Sequence, residues 1–176
     1  INNQHILGLG ELMDFVGTVN RAPDIMDKIK LAKDHNMVID GHAPMLTGKA
    51  LDDYVLAGVD TDHECSTVEE MEEKIQRGMY VQLREGTAAK NLETLLKGVT
   101  EYNINRCFFC TDDRHPEDLL KDGSVDNNVR KAIRLGMEPI NALKMATINP
   151  TECYNLGKLG AIAPGYKADF FLFDDL

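Results

Sequence analysis

Apolar residues along this chain come in short runs that climb into a charged residue and stop. The clearest is Val38-Ile-Asp40-Gly-His42-Ala-Pro44, an apolar start followed by an acid, a glycine, a histidine and a terminating proline. Strand geometry places Val38, Asp40 and His42 on one face and Met37, Ile39 and Gly41 on the other. Leu7-Gly-Leu-Gly-Glu11, Val59-Asp-Thr-Asp-His63-Glu64, Tyr80-Val-Gln-Leu-Arg84-Glu85 and Cys107-Phe-Phe-Cys-Thr-Asp112-Asp113 share the design. Each predicts a buried strand that delivers a charged or metal-binding side chain to its C-terminal tip.

Between these runs the period changes to that of helices. Asp24 caps a helix whose apolar face is Ile25, Ile29, Leu31 and Ala32. Residues 48–57 form a second helix, closed by Gly58. Ser66 or Thr67 begins a helix over 68–77, with Ser66-Thr-Val-Glu69 reading as a capping box and Gly78 as the stop. A longer helix is predicted over 87–102, with Leu92, Leu95, Leu96 and Val99 on one side. Others are expected over 128–135, from Pro139 and from Asn149-Pro150, since proline suits a first helical turn. Residues 13–17 and 114–123 read as loops.

The spacing of the strand tips matters more than any one run. Glu11, His42, His63, Glu85 and Asp112 are separated by 31, 21, 22 and 27 residues, each about one strand plus one return helix. Functional side chains at successive strand ends mark the active face of a (β/α)8 TIM-type barrel. Two histidines and carboxylates converging there are a candidate divalent-metal set. The fold class expected is therefore α/β, a portion of such a barrel covering about strands 4 to 8. The chain opens on Ile1, inside a repeat, and carries five units where a closed barrel needs eight, so it is expected to be a piece of a longer protein. Residues 1–157 would be the C-terminal part of the barrel. From Lys158 the pattern becomes two β-rich runs around Pro164-Gly165, so 158–176 read as the first strands of a flanking β-sandwich.

Charge narrows the partners. The 176 residues carry a formal net charge of −10, which leaves no basic patch for nucleic acid or an anionic membrane surface. Much of the acid sits in Glu69-Glu70-Met-Glu72-Glu73, which reads as a solvated helix face. No apolar run is long enough to span a bilayer and no signal-peptide pattern opens the chain, so a cytoplasmic location is expected. The four cysteines do not suggest a disulfide framework in a chain of this size. Cys107 and Cys110 have the CxxC spacing, but on a strand they face opposite ways and read as core thiols.

Taken in order, Leu9-Gly-Glu11-Leu-Met-Asp14, Asp40-Gly-His42-Ala-Pro44, Asp60-Thr-Asp-His63-Glu64, Leu83-Arg84-Glu85-Gly86, Cys110-Thr-Asp112-Asp113 and Ile162-Ala-Pro-Gly-Tyr-Lys-Ala-Asp169 resemble the amidohydrolase superfamily. Within it they are most similar to the bacterial adenine deaminases. The resemblance implies metal-dependent hydrolysis of adenine to hypoxanthine and ammonia, in purine salvage or catabolism. It implies one or two divalent ions, manganese or iron(II), with zinc also compatible. Glu11, His42, His63 and Asp112 would be metal ligands. Asp112, His63 and Glu85 would be catalytic, with Arg84 and Glu85 on the substrate. A homo-oligomer is also implied. The family's first-strand His-x-His pair has no counterpart here, since neither His5 nor His35 lies in that motif, so the isolated segment is expected to be inactive. Asp62 and Glu64 are candidates for orienting His63.

Two rivals are defined. A cyclic amidohydrolase of dihydropyrimidine or hydantoin type is disfavoured by Glu11 in place of a lysine and by Arg84-Glu85-Gly86. A non-catalytic barrel fragment would show no shared pocket among the ligand set. The zinc-dependent base deaminases are excluded, since no His-x-Glu is followed by Pro-Cys-x-x-Cys.

Overall fold

In the computed structural model, residues 6–173 are described. They divide into two units, one ending at Val81 and one beginning at Gln82. Five strands follow one another in the sheet in chain order: β1 (Gly8–Leu12), β2 (Val38–Gly41), β3 (Thr61–Asp62), β4 (Tyr80–Arg84) and β5 (Cys107–Cys110). All five expected strands are present, in an α/β arrangement consistent with part of a TIM barrel.

In the first unit, β1 pairs with β2, β2 with β3 and β3 with β4, all parallel. Parallel neighbours need a return connection, and helices supply it. The first helix, α1 (Phe15–Val19), lies where a loop was expected; Asp14 caps it by accepting from the Gly17 N–H at 2.7 Å. Helix α2 (Pro23–Asp34) buries Ile25, Ile29 and Ala32, spaced so that they share one face. Helix α3 (Gly48–Ala57) buries Leu51, Tyr54 and Ala57 and ends, as expected, at Gly58 with φ +112°. These residues meet Leu12, Ile39, Val59 and Met79 in one core. Helix α4 (Val68–Gln76) is capped by Thr67, the second of the two expected starts: its Oγ1 accepts from the Glu70 N–H at 3.2 Å.

In the second unit, β5 lies beside β4, with the Glu85 N–H donating to the Cys110 carbonyl at 3.1 Å. The long helix expected over 87–102 is replaced by a short α5 (Leu92–Leu95), a 3-10 turn over Leu96–Gly98, and turns. Local side-chain bonds compete with the helix there. Asn103 accepts from the Thr100 N–H at 2.7 Å and donates to the Gly98 carbonyl at 2.8 Å. The expected loop after β5 contains α6 (Pro116–Lys121), with proline in its first turn and no buried residue. Then follow α7 (Val125–Arg134), α8 (Pro139–Ala146) and α9 (Ile148–Cys153). Buried Asn149 on α9 donates to the carbonyls of Ile104 and Cys107, each at 2.8 Å, and so ties the helix to the start of β5.

Residues 158–173 show the expected turn, with the Tyr166 N–H donating to the Ala163 carbonyl at 3.1 Å, but no strand on either side. The first strands expected of a flanking β-sandwich are thus not shown among the described residues; a two-stranded ribbon is marginal without a third strand or a packed face. The rest of the expected β-segment, 174–176, lies outside the described residues. No helix among the described residues is long and apolar enough to cross a membrane.

Candidate metal centre

Each candidate ligand is aimed by a local feature of its strand. The register between β1 and β2 slips, since Leu9 lies opposite Ile39 and Leu12 opposite Gly41, so Gly10 and Glu11 together face Asp40. Such a bulge re-aims a side chain, and here it turns that of Glu11. His42 follows β2 directly. Its N–H donates to the hydroxyl of fully buried Tyr54 at 3.2 Å. Gly41 makes that approach possible, because a Cβ there would run into the Thr61 carbonyl oxygen and the Tyr54 hydroxyl. Burial holds the Tyr54 phenol far above its usual range, so the hydroxyl stays neutral. His63 follows the two-residue strand β3 and is itself buried.

The three side chains meet. His42 Nδ1 contacts Glu11 Oε1, and His63 Nε2 lies 3.3 Å from the same oxygen. Glu64 Oε1 is 3.6 Å from His42 Nδ1 and 3.7 Å from His63 Nε2. The imidazoles pack edge to face, with centroids 5.4 Å apart and planes at 72°. Ligand atoms of Glu11, His42 and His63 all lie within 4.8 Å of one another. His42 Nδ1 is buried yet makes no hydrogen bond of normal geometry. Two imidazole lone pairs aimed at carboxylate oxygens repel them unless a cation or proton lies between. The residues therefore fit a divalent ion, and a donor set of nitrogen and oxygen without sulfur suits manganese, iron or zinc. Glu64, expected to orient His63, presents its carboxylate to both rings.

Beneath the two histidines lies a buried ionic cluster that the sequence did not announce. Lys74 is fully buried, and its ammonium donates to Asp62 Oδ2 at 2.9 Å, Glu70 Oε1 at 2.8 Å and the Ala43 carbonyl at 2.7 Å. Glu70, expected on a solvated face, is buried with it. Burial acts to lower the Lys74 pKa, but Asp62 first, then Cys65 and Glu70, outweigh it and the net shift is upward. Asp62, the other candidate for orienting His63, is engaged by backbone donors of both loops. Its carboxylate accepts from the N–H groups of Ala43 at 2.8 Å and Glu64 at 3.1 Å.

In the second unit, Asp112 stands just past β5 at φ +46°, an uncommon conformation for a residue other than glycine. Its Oδ2 accepts from Arg84 Nη1 at 2.7 Å, and Arg84 is buried. Glu85, at the end of β4, is buried too, and both its oxygens accept from Lys131 Nζ at 2.9 Å. Lys131 lies on α7, and nothing in the sequence pattern distinguishes it from the other charges there. Asp113 reaches back to the loop after β4: it accepts from the Ala88 N–H at 2.8 Å, and that bond above all holds its carboxyl below the usual range.

The cysteines are all free thiols. Burial pushes Cys107 up to about 12, and Cys65, Cys107 and Cys153 are all buried. Only Cys110 is half-exposed. A native chain is expected to give a single rapid thiol titration with a disulfide reagent, at Cys110, and four thiols in denaturant. Rapid native modification of Cys107 would contradict its packing.

Parallel strands that carry histidines and carboxylates to their C-terminal ends define a metal-site barrel segment. The chain belongs to the amidohydrolase family, whose model matches residues 2–175. It is 53% identical over 176 residues to an adenine deaminase of Clostridium acetobutylicum, covering all of this chain and 31% of that protein. It is 51% identical over 176 residues to adenine deaminase 2 of Carboxydothermus hydrogenoformans, of which it covers 30%. The chain thus spans under a third of the length of the curated relatives it matches. Among solved structures, a β-aspartyl dipeptidase of Fervidobacterium islandicum AW-1 aligns with a TM-score of 0.68 at 16% identity, covering 96% of this chain and 53% of that one. That likeness concerns the fold.

Proposed function

We propose that this chain is a barrel segment of an enzyme that hydrolyses adenine to hypoxanthine and ammonia. The observation that carries the reading is the identity of about half the residues, over the whole chain, to proteins named adenine deaminase. The convergence of Glu11, His42 and His63 supports it. That convergence also disfavours a non-catalytic scaffold, which has no need of a shared ligand pocket. Adenine is the proposed small-molecule partner. A cytoplasmic location and a homo-oligomeric assembly, both expected from the sequence, belong to the same reading.

Glu11, His42 and His63 would hold a divalent ion, manganese or iron(II), with Glu64 beside them. Such an ion supplies Lewis-acid chemistry that makes water a competent nucleophile near neutral pH. The chain's own residues would do the rest. Asp112, its carboxylate fixed by Arg84, accepts the proton of the attacking water and returns it to the departing ammonia. His63 polarises the tetrahedral carbon centre as charge develops. Glu85 and Arg84 are assigned to the purine. An ionised carboxylate has about four lone-pair sites, and Lys131 occupies one on each Glu85 oxygen, so Glu85 retains capacity for a purine N–H.

The test replaces the matching segment of the Clostridium acetobutylicum relative with this chain. With manganese or iron(II) added under reducing conditions, the chimera is expected to release ammonia from adenine and to leave dihydropyrimidines intact. A folded, metal-loaded chimera that fails on adenine while its parent turns over would overturn the reading.

A further inference from the structure

The buried ammonium of Lys74 occupies an unusual place relative to the candidate ligands. It touches the Ala43 carbonyl, directly after His42, and the Asp62 carboxylate, directly before His63. Asp62 in turn receives the Ala43 and Glu64 N–H groups. Glu70, the third partner of the ammonium, accepts from the Met45 N–H at 2.7 Å with one oxygen and from the Ser66 N–H at 2.8 Å with the other. Residues 43–45 lead away from one histidine, and residues 62–66 flank the other. Both loops are therefore fastened to one fully buried three-residue ion cluster.

We infer that Lys74 is a positioning residue for the metal centre: its ammonium locks the backbone of the His42 loop to that of the His63 loop and so sets the separation of the two imidazoles. The chemistry explains why a lysine stands there. Asp62, Cys65 and Glu70 are themselves close enough to hold a cation, and an uncompensated pair of buried carboxylates would be driven apart or neutralised. The ammonium is the cation of that second cluster, so the two carboxylates can serve backbone donors instead of metal. A neutral side chain of the same length would fill the volume and still release both loops.

The inference rests on the proposed metal site, and the experiment separates the two. Manganese(II) is titrated into the metal-stripped chimera described above, wild type being the chimera with this segment unsubstituted, with the free aqueous ion followed by electron paramagnetic resonance and folding checked by circular dichroism. Wild type is expected to bind; its failure to do so would overturn the site itself and this inference with it. Lys74→Met, when folded, is expected to bind manganese roughly 10- to 100-fold more weakly, the range found for residues that orient metal ligands. Leu51→Ala serves as the control. It opens a cavity in the same unit and should lower the melting temperature without moving the affinity of the folded protein. If Lys74→Met does not fold, Glu70→Gln decides, because it keeps the Lys74–Asp62 pair and weakens only one leg of the cluster. It should show a smaller loss in the same direction. Wild-type affinity in a folded Lys74→Met, or in Glu70→Gln where that is the deciding variant, would reduce the cluster to a stabilising role and sink the inference.

Discussion

Asp112→Asn, introduced into the chimeric enzyme, is expected to lower kcat for adenine by roughly 10²-fold or more, with 10⁴-fold as the upper range for a lost proton shuttle. Asparagine keeps the shape and can still face Arg84, but it cannot accept a proton. Three features motivate the choice: the position just past β5, the left-handed backbone at φ +46°, and the buried arginine held against one oxygen at 2.7 Å. Residues kept in sparsely populated backbone regions cost stability and gather where function requires them. Steady-state ammonia release is the measurement, with metal content determined on the same samples. A fully loaded Asn variant with near-parental kcat would place the shuttle on another residue.

What the sequence disclosed, it disclosed through local rules. A strand tip is written twice, once in period-two apolar residues and again in the charge that ends the run, so all five strands and the tip residues could be read. Helices α2 and α3 were equally plain because each buries a complete face. Where burial gives no pattern, the reading failed: α6 buries nothing and looked like a loop. The stretch from 87 to 102 has helical apolar spacing, but Asn103 and Gly98 exchange the helix for turns.

The ionic cluster shows a different limit. Lys49 and Asp53 are four residues apart on α3 and lie on the surface, 2.8 Å apart. Glu70 and Lys74 have the same spacing and the same 2.8 Å contact on α4, yet both are buried. Charge pattern alone cannot separate the two pairs, because what differs is the partner 12 residues from Lys74 in sequence, Asp62. Glu11 was legible as a candidate ligand, but its orientation was not, since the bulge that aims it depends on β2.

That contrast between the two pairs leads to the second large effect. Asp62→Ala is expected to destabilise the chain by about 3–5 kcal/mol, the cost of breaking a buried ion pair from one side. For a protein of this length that corresponds to roughly 6–20 °C in melting temperature. The variant would strand Lys74 with only Glu70 and the Ala43 carbonyl, and it would leave the Ala43 and Glu64 N–H groups without their acceptor. Asp53→Ala, which breaks the exposed pair, should leave the melting temperature unchanged within error, since solvent screens such contacts. The pH dependence has a definite sign. Lys74 has its pKa raised above 10.5 in the folded state, so its contribution is fully present below that value and fades as pH rises through the folded value. The gap between wild type and Asp62→Ala should therefore be constant through neutral pH and narrow only in strong alkali. Denaturant titrations at pH 7 and above pH 10.5 read this directly, and equal stability of Asp62→Ala and Asp53→Ala at pH 7 would show that the buried cluster holds nothing together.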